Sequence, residues 1–264
     1  MRRNSGVSIK RRISILMDVW ERILKEWDSD GKLSREKVIQ LLKEAYSRER
    51  IKPLKGAANP PDLYEKELAS LYVVGKYGMG LDAEYPELFD TIFHSEVRFE
   101  EAIKTLLTED PKTARMKVQT LLGGSVDENT IARMLRLKLA EIYFGFADKD
   151  SLKVLLKRLS EAFPEFEQLA SKYARFYIAF SIANEIQKGE VRDRLTKEAT
   201  KQALALEFSW LGRKVLPDDS YIRVIAEDVF NLNSRLLDSI LPKSRGRRGD
   251  RAGRKRSKEE RAVS

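Results

Sequence analysis

Residues Asn59–Leu81, NPPDLYEKELASLYVVGKYGMGL, form the segment that most constrains the architecture of this chain. Asn59 is a favourable N-cap, and Pro60 follows at the first helical position, where its missing N–H costs nothing. The segment Leu68–Val74 is apolar almost all round, which is typical of a helix that is buried on every side. We therefore predict a central, mostly buried helix. Three glycines are expected to end it: Gly75, Gly78 and Gly80.

Helical periodicity continues on both sides of this segment, and no alternating strand pattern bounded by hairpin turns occurs. We therefore predict an all-α fold, a multi-helix globular bundle of about nine to eleven helices. Beyond the central segment, the expected helical segments are Ser8–Trp27, Ser34–Arg48, one or two helices in Glu84–Thr108, Pro111–Leu122, a helix capped by Asp127 that runs to Phe146, Ser151–Ala162, Pro164–Gln187, Val191–Leu211 and Pro217–Leu241.

The double glycine Gly123-Gly124 is the best internal boundary. It divides an N-terminal helical half, residues 13–122, from a C-terminal half, residues 125–242, which we expect to pack into the same globule. Two short motifs are echoed across it at offsets of 71 and 78 residues, which leaves an internal duplication open. A basic N-terminal arm, residues 1–12, leads into the first helix. Residues 243–264 have almost no large apolar side chains, which predicts a disordered tail.

Charge is distributed unevenly along the chain. The net charge is +9, of which residues 1–12 carry +5 and residues 243–264 carry +7, so that residues 13–242 carry −3. Basic segments of this kind bind nucleic acid through its phosphates, although such a tail can also serve only for solubility. The candidate phosphate contacts are Arg2, Arg3, Lys10, Arg11 and Arg12 in the arm, and Lys243, Arg245, Arg247, Arg248, Arg251, Arg254, Lys255 and Arg256 in the tail.

Several kinds of site are excluded or disfavoured. The chain has no cysteine and a single histidine, which excludes thiolate zinc sites and multi-histidine metal sites. A calcium loop around Asp28–Ser34 would need an acidic twelfth ligand, and Lys37 stands there, so we expect a turn between two helices with Ser34 as the cap. We predict no metal, no cofactor and no catalytic residue.

Four polar residues that could do chemistry are better explained structurally: Glu67, Lys76, Tyr77 and His94. Glu67 is expected to pair with a lysine or arginine of a neighbouring helix, and Lys76 falls in the last turn of the central helix, where a cation is favoured. His94 lies among apolar residues, where a lone histidine is usually a packed or capping group.

The segment Tyr64–Leu81, together with RISILMDVWERILKEW at residues 12–27, resembles a helical domain family of unknown function found in archaea, chiefly crenarchaea. The resemblance covers most of residues 9–242. It implies an archaeal, cytoplasmic protein, and it carries over no catalytic or binding residue. A charged fraction of 34% without cysteine is also consistent with a thermophile.

These patterns favour a non-enzymatic protein that associates with nucleic acid, RNA or ribosome rather than DNA, through its basic ends. The alternative is a helical scaffold for protein–protein interaction. An enzyme would require convergent polar groups that the sequence does not place. No apolar run is long enough to span a membrane, but a polybasic tail also attracts anionic lipid surfaces.

Overall fold

The computed structural model describes residues 8–51, 53, 62–212 and 215–242, which form an all-α fold. The predicted fold class is thus confirmed. None of the helices in these ranges is long and apolar enough to cross a lipid bilayer. The described residues contain thirteen α-helices: α1 (Ile9–Asp30), α2 (Arg35–Arg48), α3 (Asp62–Val73), α4 (Leu81–Glu84), α5 (Pro86–Ile92), α6 (His94–Thr108), α7 (Pro111–Leu121), α8 (Glu128–Tyr143), α9 (Asp150–Ala162), α10 (Glu167–Lys188), α11 (Arg194–Leu206), α12 (Asp219–Asp228) and α13 (Ser234–Ile240).

The helix boundaries follow from capping residues. The side chain of Ser8 accepts a hydrogen bond from the backbone N–H of Arg11 at the start of α1, and Ser34 accepts from Lys37 at the start of α2. Gly31 closes α1 in the left-handed conformation, with a φ of 60° that few other residues adopt. The predicted turn between two helices and the capping role of Ser34 are therefore confirmed, although α1 continues through Asp30 and the turn begins only at Gly31.

Two short elements bring the helix count above the expected nine to eleven. The four-residue helix α4 follows Gly80, where no helix was expected. The segment Pro217–Leu241 was expected as one helix, and it forms α12 and α13 instead. Asn231 lies between them with a φ of 51°, a left-handed conformation that interrupts a helix. Asparagine tolerates this conformation better than most residues. The spacing of apolar residues does not show that the helix is interrupted there.

The central helix is α3, and its second half is buried on every side as predicted. Leu68, Leu71 and Val73 are inaccessible to solvent, and α3 packs against α1, α2 and α8. Helices from before and after Gly123-Gly124 contact one another and share one hydrophobic core. The capping roles predicted for Asn59 and Pro60, and the tail at 243–264, lie outside the described residues.

The glycines after α3 do not end the helix as predicted. The helix continues as a π-helical turn, Val74–Gly78, and only Gly80, with a φ of 70°, adopts the left-handed conformation. Gly75 is buried against the indole of Trp20, and a Cβ placed on it would lie 2.3 Å from Cζ2 of that ring. Gly75 is therefore required for the close approach of α1, whereas its sequence position suggested a helix terminus.

Trp20 is the residue that joins these elements. Its indole Nε1 donates a hydrogen bond to the backbone carbonyl of Leu71, with a distance of 2.8 Å. Its ring stacks on Phe89 of α5 at a centroid distance of 5.3 Å and packs on Phe93 at 5.5 Å. Tyr72 packs against the same two phenylalanines, so that one aromatic cluster connects α1, α3 and α5.

We predict that Gly75→Ala destabilises the protein by about 1–3 kcal/mol, the usual range for an overpacked core, because the fully buried Trp20 ring has no room to move away from the added methyl group. Urea unfolding followed by circular dichroism measures this change. Gly78→Ala is the matched control, since its Cβ would lie 3.3 Å from Cζ of the partly exposed Phe146. Equal stabilities of the two variants would contradict the role assigned to Gly75.

Candidate functional site

A cleft of about 590 Å³ opens between α3, α8, α9, α10 and α12. Its lining combines aromatic rings with basic side chains, and it lies beside the central helix. Six aromatic residues line it: Tyr143, Tyr173, Phe176, Tyr177, Phe180 and Tyr221. Four of these come from α10. Tyr173 and Tyr177 are buried and Phe176 and Phe180 are partly buried, so this helix contributes aromatic rings both to the core and to the cleft lining.

Hydrogen bonds and ring contacts hold these aromatic walls in place. The hydroxyl of Tyr173 donates to the carbonyl oxygen of Ala132 at 2.8 Å, and that of Tyr177 donates to Oδ1 of Asp150 at 2.6 Å. The ring of Phe176 meets the ring of Tyr221 edge to face at 4.7 Å. The walls are therefore preorganised, and a planar group that entered the cleft would meet rings that are already ordered.

Four basic side chains line the cleft: Arg136 of α8, Lys149 at the start of α9, and Lys172 and Arg175 of α10. Lys172 and Arg175 are exposed, whereas the other two are partly buried. None of the four forms an ion pair with a carboxylate of the described residues. Many other lysines and arginines of the fold do form such pairs, so the cleft is a place where positive charge is left available to an anion.

Carboxylates also line the cleft, at Glu67, Asp218 and Asp228, and at least two are already engaged. Asp218 caps α12, where its Oδ1 accepts from the hydroxyl of Ser220 at 2.5 Å and from the backbone N–H of Tyr221 at 2.8 Å. These bonds hold the pKa of Asp218 below its ordinary value. Glu67 accepts a hydrogen bond from the hydroxyl of Tyr46 at 3.0 Å. A phenol is thus one partner of Glu67.

Arg12 lies buried beside the residues at one end of the cleft. It is 5% exposed, and its Nε and Nη1 have no hydrogen-bond partner in the described part of the chain. Burial raises the pKa of Tyr46 and of Tyr143, the latter to about 12, and the positive charge of Arg12 acts on both phenols in the opposite direction. A buried charge acts through a medium of low dielectric constant. Arg12 therefore adds positive potential next to the cleft.

A second polar cluster gathers around Glu100 of α6, next to the π-helical turn. Tyr72 and Tyr77 donate their hydroxyls to Glu100 at 2.5 and 2.9 Å, and Nζ of Lys76 lies 2.8 Å from its Oε2. Burial raises the pKa of Glu100, but these hydrogen bonds outweigh it and the pKa lies below its ordinary value. Burial is the main cause that raises the pKa of Tyr72 and of Tyr77, and the Glu100 carboxylate is the second cause.

This cluster is built for stability rather than for acid–base chemistry. A tyrosine that serves as a general acid or base has to give up its proton readily. Here Glu100 acts in the opposite direction, since a neighbouring carboxylate disfavours the phenolate. The structural explanation of Lys76 and Tyr77 is supported by these contacts. His94 is exposed at the start of α6, away from the core.

The predicted basic contacts are only partly described. Lys10 and Arg11 are exposed on the first turn of α1, and Arg11 forms a 3.1 Å ion pair with Glu49. Arg12 was also predicted to contact phosphates. Its side chain is instead buried in the fold. The remaining predicted contacts, Arg2, Arg3 and the eight of the tail, lie outside the described residues.

Sequence reasoning did not single out the four basic residues of the cleft. Lys172 and Arg175 are three residues apart on the helix that carries Phe176, which is a signal for a common face. Arg136 and Lys149 come from other helices, and only the fold brings them together. No three histidine, aspartate or glutamate side chains among the described residues are grouped so as to hold a metal ion.

Comparison with known proteins identifies a family but no activity. The family model described as "Uncharacterized protein conserved in archaea (DUF2192)" matches residues 7–241. The matched range begins just before α1 and ends just after α13. Neither a curated protein nor a solved structure matches the chain.

We predict that Glu100→Gln lowers the free energy of unfolding by about 2 kcal/mol near pH 7, the scale of hydrogen bonds to a charged group. Because the pKa of Glu100 is lowered in the folded state, its contribution is present above its unfolded pKa and is lost as the pH falls through the folded pKa. The difference between variant and wild type should therefore shrink below about pH 4.

Chemical denaturation between about pH 3 and pH 8 measures this difference across the range in which the carboxylate titrates. Glu101→Gln is the matched control, since Glu101 is the exposed neighbour on the same helix. Two results would contradict the role of Glu100 as the centre of the cluster. One is a stability difference between wild type and Glu100→Gln that stays constant over this pH range, and the other is an equal loss of stability in Glu101→Gln.

Proposed function

We propose a function from the residues of this chain alone, because the chain belongs to the family of uncharacterized proteins conserved in archaea and that description names no activity. The proposal is that the protein binds single-stranded RNA. The cleft receives an unstacked base, and basic side chains at the cleft and at both ends of the chain contact phosphates. A cytoplasmic location and a thermophilic source belong to the same proposal.

The observation that carries the proposal is the set of four cations around an aromatic cleft, none of them in an ion pair with a described carboxylate. Proteins that bind single-stranded nucleic acid combine positive charge along the backbone path with aromatic rings on which bases stack. Phe176 and Phe180 are partly buried, and the exposed Lys172 and Arg175 share their helix. These positions support a base that stacks in the cleft while the adjoining phosphates meet the two cations.

The two ends of the chain add charge that is independent of the cleft. Ends with charges of +5 and +7 attract a polyanion without reading its sequence. Lys10 and Arg11 lie on the first turn of α1, where the helix dipole disfavours cations. Glu49 already pairs with Arg11, so it is the presence of Lys10 at this unfavourable position that supports an anionic partner.

A single strand fits the cleft better than a duplex does. Bases of a duplex are stacked and paired, whereas bases of single-stranded RNA can turn outward into a pocket. We therefore propose RNA rather than DNA as the ligand. Association with the ribosome is included in this proposal, because the ribosome also presents RNA. The alternative of a protein–protein scaffold remains a prediction from the sequence.

We predict that Lys172→Gln with Arg175→Gln weakens the binding of a single-stranded RNA oligonucleotide about tenfold at moderate salt, since two phosphate contacts are lost. The slope of log K against log salt concentration should become less negative by about 1.4, because each contact to a single strand contributes about 0.7. Fluorescence anisotropy of labelled RNA with the full chain, repeated across a salt series, measures both quantities. Single-stranded DNA of the same base sequence is measured in parallel and should bind more weakly.

A second variant separates stacking from charge. Phe176→Leu should weaken binding by about 1–3 kcal/mol, the scale of one stacked base, and should leave the salt dependence unchanged. Lys104→Gln with Lys112→Gln is the matched control, because it removes the same charge from exposed positions on α6 and α7 outside the cleft lining. The proposal fails if wild type does not bind at low salt, or if the cleft pair and the control pair weaken binding equally.

A further inference from the structure

One carboxylate of the cleft lining is left available to a ligand. Asp228, the last residue of α12, is partly buried, and its side chain forms no hydrogen bond and no ion pair with another described residue. By contrast, Asp218 and Glu67 in the same lining already accept hydrogen bonds. A carboxylate that is partly removed from water loses some of its hydration, and N–H groups of a ligand can replace it. Asp228 is therefore an unused acceptor inside the cleft.

One hydroxyl group of the lining is unused in the same way. Tyr143, the last residue of α8, is 9% exposed, and its hydroxyl has no hydrogen-bond partner among the described residues. Burial raises the pKa of Tyr143 to about 12, so the phenol keeps its proton at neutral pH. The positive charge of Arg12 also acts on this phenol, and it favours the orientation in which the oxygen faces Arg12 and the proton points away. Tyr143 is thus a donor without an acceptor.

These two groups lie near one another and beside aromatic rings. The negative charge of Asp228 acts on the phenol of Tyr143, which indicates that the two side chains are close. Helix α10, which supplies four of the aromatic rings, packs against both α12 and α8. Its Phe180 contacts Phe230, two residues beyond Asp228, at a centroid distance of 5.3 Å. An acceptor, a donor and a stacking surface are therefore combined in one part of the cleft.

The four RNA bases differ in the polar edge that a stacked base presents to its surroundings. Guanine has two adjacent N–H donors, N1–H and the amino group at N2, followed by the acceptor O6. Adenine and cytosine have a single donor group on the same edge, and uracil has one N–H between two carbonyl acceptors. The two oxygens of an ionised carboxylate match the adjacent donors of guanine, and a phenolic hydroxyl matches its O6.

We infer that the cleft selects guanine. The carboxylate of Asp228 accepts hydrogen bonds from N1–H and from the amino group of the base, and the hydroxyl of Tyr143 donates to O6. The ring of the base stacks on the aromatic side chains of α10. This inference rests on the proposed function, because it specifies which base of the bound strand enters the cleft.

The position of Asp228 on its helix favours a ligand that donates hydrogen bonds. Asp228 closes α12, and the C-terminal end of a helix carries partial negative charge, which disfavours a carboxylate. The arginine of α12, Arg223, pairs with Glu227 and Asp238 instead. Two N–H groups of a base would offset this unfavourable charge, whereas a phosphate would add to it. The base edge is therefore assigned to Asp228, and the phosphates are left to the cations of the lining.

Fluorescence anisotropy with the full chain tests this selection directly. The labelled strands are oligouridines of about ten nucleotides, within the usual range of site sizes, and they carry one central guanine, adenine or inosine. Wild type should bind the guanine strand about tenfold more tightly than the adenine strand, which is the discrimination of one good bidentate contact. Inosine lacks the amino group at N2, so its strand should bind with an intermediate affinity.

The ratio of the two affinities is the readout for the variants, because a loss of folding would weaken both strands alike. Asp228→Asn should remove the preference for guanine, since an amide offers one acceptor and turns its own N–H groups toward a donor of the base. The adenine strand should bind this variant at least as tightly as it binds wild type, because a negative charge has been removed. Tyr143→Phe should lower the ratio severalfold through the loss of the contact to O6.

Asp90→Asn is the matched control. Asp90 is an exposed aspartate on α5 outside the cleft lining, so the variant removes the same charge and should keep the tenfold ratio. An equal affinity of wild type for the guanine and adenine strands overturns the inference and leaves the proposed function standing. A ratio that is the same in wild type and Asp228→Asn also overturns it.

Free nucleotides separate a failure of the proposed function from a failure of this inference. Guanosine monophosphate and adenosine monophosphate are titrated into the full chain by isothermal titration calorimetry. If no RNA strand binds at low salt, the proposed function fails. The selection of guanine by the cleft is then upheld by tighter binding of guanosine monophosphate that Asp228→Asn abolishes, and it is overturned if neither nucleotide binds or if both bind equally.

Discussion

Trp20 reaches the centre of this fold through a space that Gly75 leaves open. The indole can lie against the backbone of the π-helical turn only because residue 75 has no side chain. In that position its N–H satisfies the carbonyl of Leu71, and its ring completes an aromatic cluster with Phe89 and Phe93. A buried indole nitrogen without an acceptor would cost about 1–3 kcal/mol, so packing and hydrogen bonding reinforce one another at this point.

The candidate site depends on the same central helix. The last residues of α3 contact Trp20 and the aromatic cluster, while Glu67 and Ser70, which lie earlier on α3, line part of the cleft. Arg12 lies on the first turn of α1, where its charge acts on Tyr143 in the cleft lining. Its Nε and Nη1 have no hydrogen-bond partner among the described residues. A charge buried in this way costs several kcal/mol of desolvation, which the surrounding core has to offset.

Much of the fold could be predicted from periodicity and capping residues, because these act locally. Ser34 and Asp127 cap the helices that they were expected to cap. The role of Gly75 could not be predicted, since a glycine that ends a helix and one that admits a distant ring look the same in sequence. The cleft was beyond prediction for a similar reason: its basic residues come from several segments of the chain, and their proximity is a property of the packed fold.

The π-helical turn also sets the rotational phase of everything that follows it. A π turn holds more residues than an α turn, so the chain after Val73 is rotated relative to a continuous α-helix, by about 100° for one added residue. Lys76 and Tyr77 lie within the turn and contact Glu100 on α6, which also accepts a hydrogen bond from Tyr72 near the end of α3. The turn thus acts as a phase shift between the apolar seam of α3 and the residues that follow it.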